Sequence, residues 1–227
     1  MPRALATIAM LCAAVPALAQ PRAERRPADF VDAATVVPGL VVEMRYFGSH
    51  NFVGRPIDGY VRPVCLLVRP AAEALAQVGR DLAPNGLALK VFDCYRPARA
   101  VAHFVRWARD LADVARKSEF YPAVDKRNLF RDGYIASRSG HSRGATVDLT
   151  LVRRADGRDL DMGTPFDFFG VRSWPSNRQV GAEARRNRAL LAQAMRRRGF
   201  VPYKQEWWHF TLRNEPYRHR TFDFPVR

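Results

Sequence analysis

The sequence is poor in cysteine and histidine, and it has few long apolar runs. It contains three cysteines and five histidines in 227 residues. Beyond the N-terminus no apolar run is long enough to cross a bilayer, so no transmembrane helix is expected there. There is no internal repeat and no low-complexity tract. Apolar residues make up 48% and charged residues 26%, which is typical of a soluble globular protein without long disordered segments.

The first nineteen residues have the pattern of a secretory signal peptide. Arg3 supplies the positive start, residues 4–15 are apolar, and an A-x-A cleavage site follows at 17–19. The apolar run is too short to serve as a membrane anchor. We therefore expect cleavage near Ala19 and export of the mature chain to the periplasm.

The remainder of the chain is predicted to form one domain. Residues 20–34 begin with a polar stretch rich in Pro and Arg, which predicts a mobile leader, and residues 35–227 suffice for a substantial core. The formal net charge of +15 comes from arginines that are spread along the chain, and the short clusters at 185–188 and 196–198 lie on one predicted helix. This distribution favours a solvated helix face over nucleic-acid binding, and it leaves open a weak attraction to the anionic cell envelope.

Two cysteines remain once the leader is removed. Cys65 and Cys94 could form a disulfide in an oxidising compartment. They could equally be buried small hydrophobic residues. The sequence leaves both readings open, because it does not show how close their Cα atoms lie.

The hydrophobic pattern predicts an α+β fold with a largely antiparallel sheet. Helices are expected from Pro70 to about residue 83, after Pro97, and over 182–198. Strands are expected over 87–92, 145–151 and 207–212, and the central one alternates apolar and polar residues as a half-buried strand does. The order of these elements lacks a βαβα rhythm, which favours antiparallel pairing.

Two short stretches each combine one imidazole with one carboxylate. SGHSRGATVD contains His141 and Asp148, and EWWH contains Glu206 and His209. Two His and one carboxylate are a common ligand set for a catalytic zinc, and a further carboxylate beside the metal can take a proton from water. Residues three apart on a flat strand face opposite sides, so we expect Glu206 to lie on the turn before the last strand or on a bulge.

Arg96 is the candidate for stabilising negative charge in the transition state. Pro97 biases it away from helical geometry, which places it at a corner between a strand and a helix. A guanidinium fixed at that corner could face a developing oxyanion. A surface ion pair is the alternative for this residue.

Five motifs in the same order make the chain similar to the zinc D-alanyl-D-alanine dipeptidases of the vancomycin-resistance type. These dipeptidases are part of a larger group of zinc DD-peptidases. The motifs are NFVGRPIDGY, DCYRPARAV, SGHSRGATVDLTL, DMGTPFDFF and EWWH. The resemblance implies a zinc DD-peptidase-like fold and one Zn²⁺ per chain, with His141, Asp148 and His209 as ligands. It implies that Glu206 is the catalytic base and that Arg96 stabilises the transition state.

The resemblance also places Tyr46, Ser139 and Asp167 at substrate-contacting positions. A carboxylate at Asp167 suits the free ammonium of a dipeptide, since an unpaired buried charge is costly. The expected reaction is therefore hydrolysis of free D-Ala-D-Ala to two D-alanines during cell-wall turnover. The alternatives are a DD- or LD-carboxypeptidase that acts on peptidoglycan stem peptides and a non-catalytic wall-binding module. Cys94 departs from the family pattern, which usually has a small residue such as Gly there.

Overall fold

The computed structural model describes residues 24–227. The predicted signal peptide at 1–19 and the start of the predicted leader lie outside the described residues. Within residues 24–227, none of the helices combines the length and hydropathy needed to cross a bilayer.

A five-stranded sheet forms the centre of the fold. Its strands, in the spatial order β2-β4-β5-β7-β6, are Val41–Val42 (β2), Leu87–Asp93 (β4), Thr146–Arg153 (β5), Phe200–Pro202 (β6) and His209–Leu212 (β7). The β2–β4 pair is parallel, and the other three pairs are antiparallel. Together with the helices described below, this sheet confirms the predicted α+β class with largely antiparallel pairing.

A second, two-stranded sheet lies beside the first. It pairs Phe30–Asp32 (β1) with Leu66–Val68 (β3) in antiparallel fashion. Residues 30–34 were predicted to belong to a mobile leader, but they form β1 and the start of a 3₁₀ helix. The prediction failed because Phe30 is buried and packs edge-on against three aromatic rings of the core, which fixes this segment.

Within the described part of the chain, four α-helices pack around the sheets. They are Arg69–Leu82 (α1), Ala98–Arg109 (α2), Lys117–Phe120 (α3) and Ala182–Arg197 (α4). Three of them were predicted: α1 and α2 from apolar residues at three- and four-residue steps that face the core, and α4 as the helix that ends before Gly199. The short helix α3 was not, since its four residues cannot display such a period.

The central strand β5 is buried on both faces, and not on one face as its alternating sequence indicated. Thr146, Asp148 and Thr150 point away from the main core yet are almost fully covered. Asp148 is covered by Arg96, His141 and His209, whose nitrogens lie within 3.4 Å of its carboxylate. The loop at 161–170 covers the neighbouring strand, where Phe166 stacks on Phe92 at 4.8 Å. Of the three polar residues of β5, Asp148 lines the cavity described below.

Cys65 and Cys94 form a disulfide with an S–S distance of 2.01 Å. Both residues are fully buried. The bond joins the residue before β3 to the residue after β4, so it links the small sheet to the large one.

Candidate metal centre and active site

His141 lies on a 3₁₀ helix, Gly140–Arg143, that leads into β5. The Ser139 side chain caps this helix by accepting a hydrogen bond from the backbone N–H of His141 at 3.3 Å. Gly144 ends the helix with a φ of 82°, a conformation that favours glycine. The Nδ1–H of His141 donates to the carbonyl of Cys94 at 2.7 Å. That bond fixes the tautomer and leaves Nε2 free to face the site.

Asp148 and His209 face each other across the β5–β7 ladder. The two residues are direct register partners. Asp148 Oδ1 lies 3.1 Å from His209 Nδ1, and Asp148 Oδ2 lies 3.2 Å from His141 Nε2. The two imidazole nitrogens are 3.3 Å apart. The sheet and the 3₁₀ helix thus bring together three donors that are far apart in the sequence.

These three donors fit a tetrahedral metal ion. An ion with bonds of about 2.0–2.1 Å holds its tetrahedral donors about 3.3 Å apart, close to the separations found here. Asp148 Oδ1 is buried, and its contact with His209 Nδ1 at 3.1 Å lacks the geometry of a hydrogen bond, so this oxygen is left unsatisfied within the cluster. His141, Asp148 and His209 are also the one group of three potential ligands that comes together within residues 24–227. Two imidazoles and a carboxylate in this arrangement suit zinc, with the fourth position left for water.

The electrostatics of the cluster favour a cation. Burial opposes ionisation of Asp148, but His141 and His209 outweigh it and lower the pKa of this carboxyl. Burial likewise opposes charge on His209, yet the Asp148 and Glu206 carboxylates raise its pKa to about 9. The carboxylates thus surround the donors with negative charge, which attracts a proton or a metal ion to the same place.

Glu206 lies on the turn before β7, as the residue spacing predicted. One of its carboxylate oxygens, Oε2, is 3.3 Å from His209 Nδ1. The side chain lines the same cavity as Asp148 and His209. A carboxylate beside these donors could take a proton from a water molecule if a metal were held there.

Arg96 lies at the corner between β4 and α2, where Pro97 begins the turn into the helix. Its Nε donates to Asp93 Oδ2 at 2.8 Å, and its guanidinium lies over the rings of Tyr46 and Phe104 at 5.1 and 5.2 Å. Burial by itself would lower the pKa of Arg96. Asp93 and the other nearby acidic groups outweigh burial, so the pKa lies above its usual value and the side chain stays charged. Arg96 is therefore a fixed cation on one wall of the cavity, and not part of a surface ion pair.

Asp167 lies on the loop at 161–170 in a left-handed backbone conformation, with a φ of 61°. Such a conformation is uncommon outside glycine and is concentrated at functional sites. Its two carboxylate oxygens accept hydrogen bonds from the Tyr46 hydroxyl at 3.1 and 2.9 Å. Burial and the nearby Asp148 raise the pKa of Asp167 well above its usual range. A cation beside this carboxyl would oppose that shift and favour its ionised form.

One cavity of about 250 Å³ joins these groups. Its volume is at the small end of ligand pockets, which suits a small substrate. Seven of the eight residues singled out from the sequence line it: Tyr46, Arg96, Ser139, Asp148, Asp167, Glu206 and His209. His141, the eighth, is fully buried and does not line the cavity, but its Nε2 lies 3.2 Å from Asp148 Oδ2.

Sequence reasoning missed two charged residues of the site. Asp93 is fully buried and accepts hydrogen bonds from Arg96 Nε and from the Tyr60 hydroxyl, the latter at 2.6 Å. Arg138 is exposed and lines the cavity, three residues before His141. Asp93 lies within the motif DCYRPARAV, three residues before Arg96, and this proximity could have indicated that the two side chains pair. No pattern distinguished Arg138 from the many other arginines.

Comparisons with known proteins identify the family of this chain. The family model described as Peptidase_M15, D-ala-D-ala dipeptidase, matches residues 26–227. A D-alanyl-D-alanine dipeptidase of Enterococcus faecium is 38% identical, over 85% of this chain and 95% of that protein. One from Streptomyces coelicolor is 37% identical, over 87% of this chain and 98% of that protein. A solved vancomycin-resistance D,D-pentapeptidase VanY in complex with Zn(II) aligns at 13% identity with a TM-score of 0.41, covering 77% of this chain and 86% of that chain. The chain belongs to the Peptidase_M15 family of D-Ala-D-Ala dipeptidases.

Proposed function

We propose that this protein is an exported zinc dipeptidase that hydrolyses free D-Ala-D-Ala to two D-alanines. The observation that carries the proposal is the convergence of His141, Asp148 and His209 within 4.8 Å, with Glu206 beside them in one small cavity. Family membership supports the reaction class. The geometry supports the division of roles among the residues.

Proton transfer is assigned to Glu206. A zinc ion held by the two imidazoles and Asp148 would polarise the scissile carbonyl and acidify the attacking water to a pKa of about 7. Glu206 then takes a proton from this water as its oxygen attacks the carbonyl carbon. The same carboxyl delivers the proton to the departing amine nitrogen as the C–N bond breaks. One group serves in both steps because it lies beside the metal donors, 3.3 Å from His209.

Arg96 stabilises the negative charge that develops on the carbonyl oxygen. A preorganised donor is most effective when it need not move during the reaction. Asp93 and the rings of Tyr46 and Phe104 hold the guanidinium in place on three sides. Asp93 is therefore a positioning residue, and Arg96 is the group that faces the substrate.

Asp167 and Tyr46 bind the free ammonium of the dipeptide. The buried carboxylate receives the charged end of the substrate, and the Tyr46 hydroxyl holds that carboxylate in position. An N-acylated peptide lacks this charge and would leave Asp167 without a cationic partner, which is costly in a buried site. The pair therefore selects free dipeptides over peptidoglycan stem peptides.

The other end of the dipeptide is a carboxylate, and Arg138 provides its counter-charge. Arg96 and Arg138 are the two arginines that line the cavity. Arg96 is engaged with Asp93 and faces the scissile carbonyl in this mechanism. Arg138 lies on the exposed rim, where it contributes modestly to substrate binding. Ser139, next to it, lines the cavity and is assigned to substrate contact as well.

Export to the periplasm is part of the same proposal. The N-terminal signal pattern supports it. The Cys65–Cys94 disulfide supports it independently, since such bonds persist in oxidising compartments. There the enzyme would recycle D-Ala-D-Ala released by wall turnover, and exposed arginines of α4 such as Arg196 would favour weak attraction to the anionic envelope.

The test uses the purified mature chain, residues 20–227. We expect one zinc per chain, loss of activity on chelation and recovery when Zn²⁺ is returned. Hydrolysis of D-Ala-D-Ala should greatly exceed that of its N-acetylated form. Equal rates on both substrates would favour a carboxypeptidase, and zinc binding without hydrolysis of either would favour a wall-binding module. Full activity in a metal-free preparation would refute the zinc site.

A further inference from the structure

The disulfide lies where the chain leaves the central sheet. The β4–β5 ladder shifts register between Val91 and Asp93, and the pair Asp93–Asp148 is its last. Cys94 follows immediately. Its neighbour Tyr95 no longer pairs within the large sheet, and its N–H donates instead to the carbonyl of Leu66 on β3 at 2.9 Å. The backbone next to Cys94 is therefore held by the small sheet.

The backbone of Cys94 has a direct role at the metal centre. Its carbonyl accepts the hydrogen bond from His141 Nδ1, and the donor–acceptor distance is 2.7 Å. A partner of this kind fixes the ring orientation and tautomer of a metal-ligating histidine, and disturbing it commonly weakens metal binding. Because the partner is a carbonyl, its position depends on whatever holds the backbone of Cys94.

Strand β3 holds both sides of this hydrogen bond. At one end Leu66 accepts from Tyr95, next to Cys94. At the other end the N–H of Val68 donates to the carbonyl of Gly144, at the end of the 3₁₀ helix that carries His141, at 2.8 Å. Phe30 closes against Gly144 so tightly that an added Cβ would lie 2.3 Å from its ring. The small sheet thus braces the acceptor and the donor together.

The disulfide makes this brace covalent. Cys65, the residue before β3, is bonded to Cys94, the residue that supplies the carbonyl. Both side chains are fully buried, so the link has no contact with solvent or substrate. The disulfide can therefore affect the site only through the backbone of Cys94 and through β3.

We propose that the Cys65–Cys94 disulfide is a positioning element of the metal centre. It holds the Cys94 carbonyl at the distance that orients His141, and the affinity for zinc therefore depends on the cross-link. The proposal rests on the metal site assigned above. It makes Cys94 a positioning residue, since neither sulfur touches the metal donors or the substrate.

The experiment compares the double variant Cys65→Ala/Cys94→Ala with the unaltered mature chain. Zinc affinity is measured by competition with a chelator, at a temperature well below the Tm of each protein. We expect the double variant to bind zinc about 10-fold more weakly, the low end of the range for disturbing the outer partner of a ligating histidine. At saturating zinc its kcat should recover to within a few-fold of the unaltered protein.

Loss of stability alone is separated by a matched control. Leu191→Ala removes a fully buried side chain on α4 that does not line the cavity, so it lowers Tm without touching the metal centre. Its zinc affinity should remain within twofold of the unaltered protein. NMR supplies a second readout: the His141 Nδ1 proton should exchange with solvent faster in the double variant and at the unaltered rate in Leu191→Ala.

Two results would overturn the proposal. Unchanged zinc affinity and unchanged exchange of the Nδ1 proton in the double variant would mean that the disulfide stabilises the fold only. If the unaltered chain bound no zinc, the proposed metal site itself would be wrong. That result is obtained before any variant is made, so it is distinct from a failure of the disulfide proposal. Should the double variant not fold, Cys65→Ala alone breaks the same bond and keeps the Cys94 side chain, with the same expected loss of affinity.

Discussion

The metal-binding half of the cavity and the substrate-binding half are built differently. Asp148 and His209 are register partners on adjacent strands, and His141 lies on a short helix that leads directly into one of them. Tyr46, Asp167 and Arg138 all lie in turns and loops outside the helices and strands. The metal donors are thus held by a hydrogen-bonded strand ladder. The groups assigned to bind the two ends of the substrate are held by side-chain contacts.

This difference places the reaction centre on the sheet and the groups that select the substrate on loops. Metal donors tolerate little displacement, because bond lengths and angles around zinc are narrow, and a paired sheet supplies that accuracy. Loops can differ in length and sequence without disturbing the sheet, so substrate choice can vary around a constant reaction centre. Changes in the first half should therefore abolish the reaction, and changes in the second should redirect it.

The largest effect is expected for His141→Ala, which removes a donor. The variant should lose zinc and with it all measurable hydrolysis, while circular dichroism keeps the spectrum of the folded chain. Metal content and activity are measured together. His219→Ala, an exposed histidine, is the matched control and should keep one zinc per chain. If His141→Ala retained stoichiometric zinc, the ligand assignment would be wrong.

Glu206→Gln should keep the metal and lose the reaction. The amide has the same shape but cannot accept a proton, and a general base contributes about 10²–10⁴-fold in rate. We expect kcat to fall by that range at unchanged zinc content. Glu183→Gln, on the exposed first turn of α4, should leave kcat unaltered. A fall of less than tenfold in Glu206→Gln would assign the proton transfer to another group.

Asp167→Asn should alter selectivity more than chemistry. Truncating one partner of a buried charge pair costs at least about 2 kcal/mol, so kcat/KM for free D-Ala-D-Ala should fall by about 30-fold or more. Hydrolysis of the N-acetylated dipeptide should fall far less, because that substrate has no ammonium to lose. The two substrates are assayed side by side. An equal loss on both would mean that Asp167 supports the fold and not the ammonium.

Arg138→Gln should have the smallest effect. An exposed charge pair is worth up to about 1 kcal/mol, so KM for the dipeptide should rise by about fivefold or less, with kcat retained. The C-terminally amidated dipeptide lacks the carboxylate, and its KM should not respond. Arg154→Gln, which removes an exposed arginine away from the cavity, controls for net charge. An equal rise in KM on both substrates would contradict the assignment of Arg138.

The helices and strands were largely predictable because their patterns are local. The apolar faces of α1 and α2 are visible over a few turns of sequence. Gly86 lies just after the helical segment that begins with α1, and Pro97 lies just before α2. The placement of Glu206 on a turn also followed from local geometry, since residues three apart on a strand face opposite ways. These features depend on residues that are close together in the sequence, so they can be predicted from it.

The leader and the central strand were misjudged for the opposite reason. Phe30 is fixed by aromatic rings that lie far away in the sequence, and Asp148 is covered by Arg96 and His209, which are also distant from it in the sequence. Asp93 lies three residues before Arg96 in the sequence, but its full burial and its hydrogen bond from Tyr60 arise only in the folded chain. Burial by distant segments has no local signature.

By itself the sequence determined the residue types of the site, the fold class and the family, because motifs and periodicity are written along the chain. Only the tertiary structure decided that the donors of His141, Asp148 and His209 lie 3.1–3.3 Å apart and that Cys65 and Cys94 pair. Both facts depend on strand register and on contacts between two sheets. Such distances arise from packing of the whole chain, and spacing along the backbone does not specify them.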